Sequence, residues 1–202
     1  MSTLFKVSGK KSAFTLLEVM VATTLFGIVI ASIISTFIIF AKGSESLAQY
    51  VEMSMDSRRS LETCARDIRS GEEIHYATTN AIVLQYPDNT FYDGSILKYE
   101  YDDSSKFYTR YVYDKSATVD SSDGSIAGTV LSEIRLLEGV EEFAFNFYDP
   151  LGKLLDPDSE SLLLSIKSIQ IDAKMQRAVT QTTATDYIIS ARFLMRNRTV
   201  TE

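Results

Sequence analysis

The 202-residue chain has one cysteine, one histidine, nine glycines and only three prolines. One cysteine excludes an internal disulfide, so the fold must stand on its core. Cys64 and His75 are eleven positions apart and make no convincing nucleophile–base pair. A triad would have to use His75, between Ile74 and Tyr76 in an expected connecting segment, where a surface histidine is the simpler reading. There is no phosphate-cradling loop, no glycine-rich dinucleotide turn and no zinc-ligand spacing. Acids are plentiful, but nothing in the sequence brings two together for acid–base work. No catalytic residue, metal or cofactor is therefore assigned, and an enzyme is not expected. Basic charge is also scarce. Twenty Lys and Arg stand against 27 Asp and Glu, a net −7, and no Lys/Arg stripe with interleaved aromatics appears. That disfavours nucleic acid as the main partner.

The few basic residues are unevenly placed. Residues 1–13 hold Lys6, Lys10 and Lys11 and no acid. Without them the balance is 17 basic to 27 acidic, a net −10. A basic leader before an apolar stretch suits an export signal with its front held in the cytoplasm. From Val19 to Ala41, 23 positions carry no charge. As a helix they extend about 35 Å at roughly 1.5 Å per residue, enough for a hydrocarbon core about 30 Å thick. A buried core helix is usually shorter and one-sided. A secretory signal peptide has a shorter apolar region, although Ala22, Ala31 and Ser32 leave a conventional cut formally open. One acid, Glu18, sits at the very start of the run. A carboxylate near the middle of a membrane helix costs roughly 2.5–3.5 kcal/mol on insertion scales. Glu18 is therefore either a functional residue with a partner or a solvated charge favoured by the helix N-terminus.

The segment Ser12-Ala13-Phe14-Thr15-Leu16-Leu17-Glu18 resembles the class III signal of type IV pilins and type II secretion pseudopilins. The resemblance implies cleavage by a prepilin peptidase between Ala13 and Phe14, then methylation of the new Phe14 amino group. The family usually has glycine before the cut; Ala13 is the next smallest residue. It further implies that the apolar helix is first a membrane anchor and then a filament core. Glu18 would meet the Phe14 amine of a neighbouring subunit and set its axial register. Implied partners are other minor and major pilin or pseudopilin subunits, prepilin peptidase, an inner-membrane assembly platform and, before assembly, lipid. The implied location is the bacterial inner membrane, single-pass, with the globular part extracytoplasmic, and later the filament.

The helix is expected to continue beyond Lys42-Gly43-Ser44 and to stop at Gly71, giving about 55 residues. Projection at 100° per residue gathers Leu47, Tyr50, Val51, Leu61, Cys64, Ala65 and Ile68 on one side. Glu45, Glu52, Asp56, Arg59, Arg66 and Asp67 gather on the other. Glu62 and Arg66 are spaced to pair across one turn, and Cys64 reads as a buried, inert residue. Strands are expected over 81–86, 96–101, 107–113, 142–148, 165–173 and 187–194. In the third, Phe107, Tyr111 and Tyr113 share a face. Residues 102–105 read as a hairpin and 114–128 as a mobile loop, in which Asp120–Gly124 is a solvated turn more readily than a calcium site.

The expected fold is α+β and pilin-like: a basic leader (1–13), a membrane and assembly helix (14–41), an amphipathic half (42–71) and an antiparallel β domain (72–202). Residues 57–69 and 136–149 resemble the arginine-rich helix half and the "LLEGV–F–F–YD" strand of W-type minor pilins and J-type minor pseudopilins. No proline precedes Pro87, so any bend in the apolar half would rest on Gly27. A typical major type IV pilin has a helix-bending proline there and a C-terminal disulfide, so within the resemblance both absences favour a minor subunit, expected at or near the tip of a type II secretion pseudopilus or type IV pilus. The alternative is a membrane-anchored module that binds a ligand, DNA or an exported substrate.

Overall fold

The computed structural model describes residues 15–88, 94–156, 162–177 and 185–196. The fold is α+β, with a long N-terminal helix followed by antiparallel sheets. Helix α1 runs unbroken over Leu16–Ser70, 55 residues, through both Gly27 and Gly43. It ends where expected: the Gly71 amide donates to the Asp67 carbonyl at 2.9 Å, closing the last turn. By contact density the chain divides into two units, Met1–Glu45 and Ser46–Glu202.

The second unit holds ten strands among the described residues. Strands β1 (Glu73–Ala77), β2 (Ala81–Gln85), β3 (Ile96–Asp102), β4 (Phe107–Tyr113) and β7 (Val130–Glu138) form a five-stranded sheet in that order. Strands β8 (Val140–Tyr148), β9 (Ser168–Arg177) and β10 (Thr185–Leu194) form a second sheet, ordered β10-β9-β8. All of these pairs are antiparallel. The short strands β5 (Thr118–Val119) and β6 (Ile126–Ala127) pair with each other, and a single helical turn, α2, spans Leu162–Ser165. One core cluster joins side chains of α1 and both sheets; its largest fully buried members are Tyr99, Tyr108, Phe145 and Phe147.

The helix face that meets the sheets is not the one that hydropathy projection selects. Buried positions run Met53, Ser57, Ser60, Cys64, Asp67 and Ile68, at three- and four-residue spacing. Leu47, Tyr50 and Val51, placed on the buried side by projection, are exposed, while Asp67, placed outside, is buried. The stripe mixes the small residues Ser57, Ser60 and Cys64 with Met53, Ile68 and the acid Asp67. Glu62 pairs with Arg58 one turn earlier, at 3.3 Å, and Arg66 lies 3.3 Å from Asp67, in place of the expected Glu62–Arg66 pair.

In β3 the alternate residues Leu97, Tyr99 and Tyr101 are buried. Register places Val112, Arg110 and Tyr108 of β4 opposite those three. The inward face of β4 is therefore the even-numbered one, and Phe107, Tyr111 and Tyr113 point to the other side of the sheet. Tyr113 packs there with Val83, Ile96 and Ala117 in a second, smaller cluster. The expected loop 114–128 contains β5 and β6, whose Val119 and Ile126 cover that cluster. His75, expected in a connection, lies in β1, and its Nε2 is 2.8 Å from Gln85 Oε1. The 136–149 segment is not one strand. Gly139, at φ 68°, turns the chain from β7 into β8, which belong to different sheets.

Candidate functional site: the N-terminal helix

Ala13 and Phe14 lie outside the described residues; Thr15 and Glu18 lie within them. Thr15 is the N-cap of α1. Its hydroxyl accepts from the Glu18 amide at 3.3 Å, and its carbonyl accepts from the amides of Glu18 and Val19 at 3.0 and 3.2 Å. One of the orphan donors that every helix start carries is thereby satisfied. Glu18 is the acid of the first turn, where the helix dipole favours a negative charge. The Thr15-x-x-Glu18 spacing is that of a capping box, a signal the sequence carried and the reading above did not use. Among the described residues the Glu18 carboxylate has neither a hydrogen-bond nor an ion-pair partner.

Four of the five hydroxyls in the apolar half are bonded within the helix; among the described residues Ser35 is the one that makes no such bond. Hydroxyls in lipid are costly unless bonded. Thr23 donates to the Met20 carbonyl at 3.0 Å, and Thr24 to those of Met20 and Val21 at 3.1 and 2.9 Å. Ser32 donates to Ile28 at 2.9 Å, and Thr36 to Ser32 at 2.9 Å. These bonds fold the polarity back onto the helix itself. Side chains from Leu16 to Phe40 are exposed throughout. The segment is long and apolar enough to cross a membrane. What remains is an apolar rod with one uncompensated anion at its head.

The C-terminal end of α1 carries a different polar group. Asp67, with no exposed side-chain surface, accepts from Arg110 Nε and from the Tyr99 hydroxyl, both at 2.6 Å on Oδ2. Arg66 reaches Oδ1 from the solvent side at 3.3 Å. The helix is thus held to β3 and β4 by a charge-assisted cluster in a dry setting. Next to it, Cys64 Sγ lies 3.3 Å from the Tyr108 hydroxyl, whose ring stacks on Tyr99 at 5.8 Å. Burial pushes the Cys64 thiol up to about 12, and burial likewise raises Tyr99 and Tyr108. These are inert, protonated core groups, as expected for Cys64.

The Asp120–Gly124 segment turns on its own acids. Asp120 Oδ1 accepts from the Ser122 amide and hydroxyl at 2.9 and 2.7 Å, and Asp123 Oδ1 from the Ser125 amide at 2.8 Å. No group of three or more His, Cys, Asp or Glu that could hold a metal occurs among the described residues.

The Glu18 carboxylate at the head of α1 lacks a partner among the described residues, and comparison with known proteins points to the same segment. No curated protein matches the chain. Residues 8–34, a span that includes Ala13, Phe14 and Glu18, match the prokaryotic N-terminal methylation motif. The chain thus carries a prokaryotic N-terminal methylation motif, the type of signal found on type IV pilins and pseudopilins, leading into a single apolar helix and antiparallel sheets of pilin-like α+β architecture.

Proposed function

We propose that this chain is a structural minor pilin or pseudopilin subunit, cut between Ala13 and Phe14, methylated on Phe14, and assembled through its N-terminal helix at or near the tip of a type II secretion pseudopilus or type IV pilus. The single observation that carries the reading is the methylation motif running directly into an exposed apolar helix with one acid at its head. In this reading the Phe14 amine of a neighbouring subunit supplies the cation that Glu18 lacks. Away from water the attraction between them is strong. A buried ion pair nonetheless serves specificity better than net stability, so its task is to set register. As the one charged residue at the head of a run with no other charge to Ala41, Glu18 is the marker that an incoming helix can read. Arg-rich residues 57–69 and the absence of a proline before Pro87 support the minor-subunit assignment.

N-terminal sequencing and mass spectrometry of the membrane-extracted protein test the cleavage. The expected first residue is methylated Phe14. A mature protein beginning at Met1, or well beyond Phe40, overturns the reading.

A further inference from the structure

We propose that the free edge of β10 is a strand-addition site for an extended segment of a partner protein in which apolar and acidic side chains alternate with polar ones. This goes beyond the N-terminal reading and does not depend on it.

The two sheets have four outer strands: β1, β7, β8 and β10. An outer strand presents unpaired backbone groups, and proteins commonly blunt it with bulges or cover. Three of the four are blunted here. In β1 the register skips His75, passing from Ile74↔Leu84 to Tyr76↔Val83. In β7 it skips Leu136 and again Leu131. In β8 it skips Glu141, and the free side of that strand is also used: the Phe145 amide donates to the Thr79 carbonyl at 2.7 Å. Every register shift in these sheets thus falls on an outer strand. Strand β10 is the exception. It pairs with β9 over ten consecutive positions without a shift. It contains no proline and no lysine. No backbone hydrogen bond reaches its outer side from the described residues. A regular, ten-residue edge of this kind is a template for another strand.

The surroundings specify the occupant. Beside β10 lies a groove of about 520 Å³, walled by Tyr187, Ala191 and Phe193 of β10 and by Leu61, Ala65 and Arg69 of α1. An added strand would point alternate side chains into it. Leu61 and Ala65 call for apolar groups. Arg58, also in the wall, is paired with Glu62, whereas Arg69 makes no ion pair among the described residues. That cation calls for an acid. On the opposite face of the sheet Ile188 is 76 % exposed, next to Ser190 and Arg192, where small polar groups fit.

The full-length protein in detergent micelles is titrated with a fluorescent seven-residue peptide alternating threonine with valine, leucine and glutamate. Saturable anisotropy and slowed amide exchange across residues 185–194 are expected. Arg69→Glu should weaken binding about tenfold, and a peptide with lysine in place of glutamate should restore it. Because Arg69 is exposed, that variant keeps the fold, which near-UV circular dichroism verifies. No saturable binding, unchanged exchange in β10, or equal binding of the acidic and basic peptides to the unaltered protein overturns the proposal. Exchange in β10 that slows with protein concentration alone overturns it too, since the occupant is then a second copy of the chain.

Discussion

Asp67 is where charge, burial and position conflict most sharply. An acid on an amphipathic helix belongs on the wet face, yet this one is enclosed by Tyr99 and Arg110, 32 and 43 residues away. No local pattern announces such a contact, because it is made by chain segments that meet only after folding. Its removal tests its weight. Asp67→Ala leaves the Arg110 guanidinium buried without its carboxylate and should lower stability by about 3–5 kcal/mol. Asp67→Asn keeps an acceptor for Tyr99 and should lose less. Thermal unfolding followed by near-UV tyrosine dichroism measures both; if the two variants match the parent, the cluster holds nothing. A second residue has a pH signature. Hydrogen bonds from Ser104 and Ser105 hold the Asp102 carboxyl down at about 2, from 3.8. A depressed carboxyl contributes stability at pH above its unfolded value and loses it as pH falls through the folded one. The 103–106 turn should therefore stay intact at pH 4 and loosen towards pH 2. A carbon-detected NMR titration of Asp102 gives the midpoint.

Elements were legible where period and length agree. Helix α1 follows from a long uncharged run, the absence of proline and a terminal glycine. The strands β3, β4 and β8 follow from aromatic alternation. Strand β7 escaped because its two bulges, at Leu131 and Leu136, break the two-residue period that identifies a strand. Strand β1 escaped because His75 does the same in five residues. The β5–β6 excursion looked like a solvated loop since its polar residues satisfy their own turn and only Val119 and Ile126 face inward. At its tip Gly124 has φ 69°, and a Cβ there would fall 2.4 Å from the Tyr76 ring. Gly124→Ala combines a disfavoured backbone with that clash and should cost about 1–3 kcal/mol. Faster amide exchange at 118–127, with the rest of the sheets unchanged, is the expected result.

At the scale of the whole molecule, the N-terminal methylation motif is a linear signal and was therefore readable over residues 8–34, while the roles of Ala13, Phe14 and Glu18 within it belong to the proposal. The Thr15 cap was readable from its spacing to Glu18. The packing face of the helix was not, because it mixes polar Ser57, Ser60 and Asp67 with apolar Met53 and Ile68, a pattern that hydropathy projection does not select. If Glu18 sets register, Glu18→Ala should leave membrane insertion intact and cut assembly by about tenfold, equivalent to 1.4 kcal/mol. Fractionation and filament yield separate the two. Equal assembly would leave Glu18 as a helix-start charge only. One further property belongs to the molecule as a unit. Its lone thiol is sealed between helix and sheet, out of reach of oxidants and of other thiols. Iodoacetamide at pH 8 should label it only after denaturation. Thiol chemistry is consequently shut out of the fold: it needs no oxidative help to form, and no disulfide-linked dimer is expected in reducing or in oxidising surroundings.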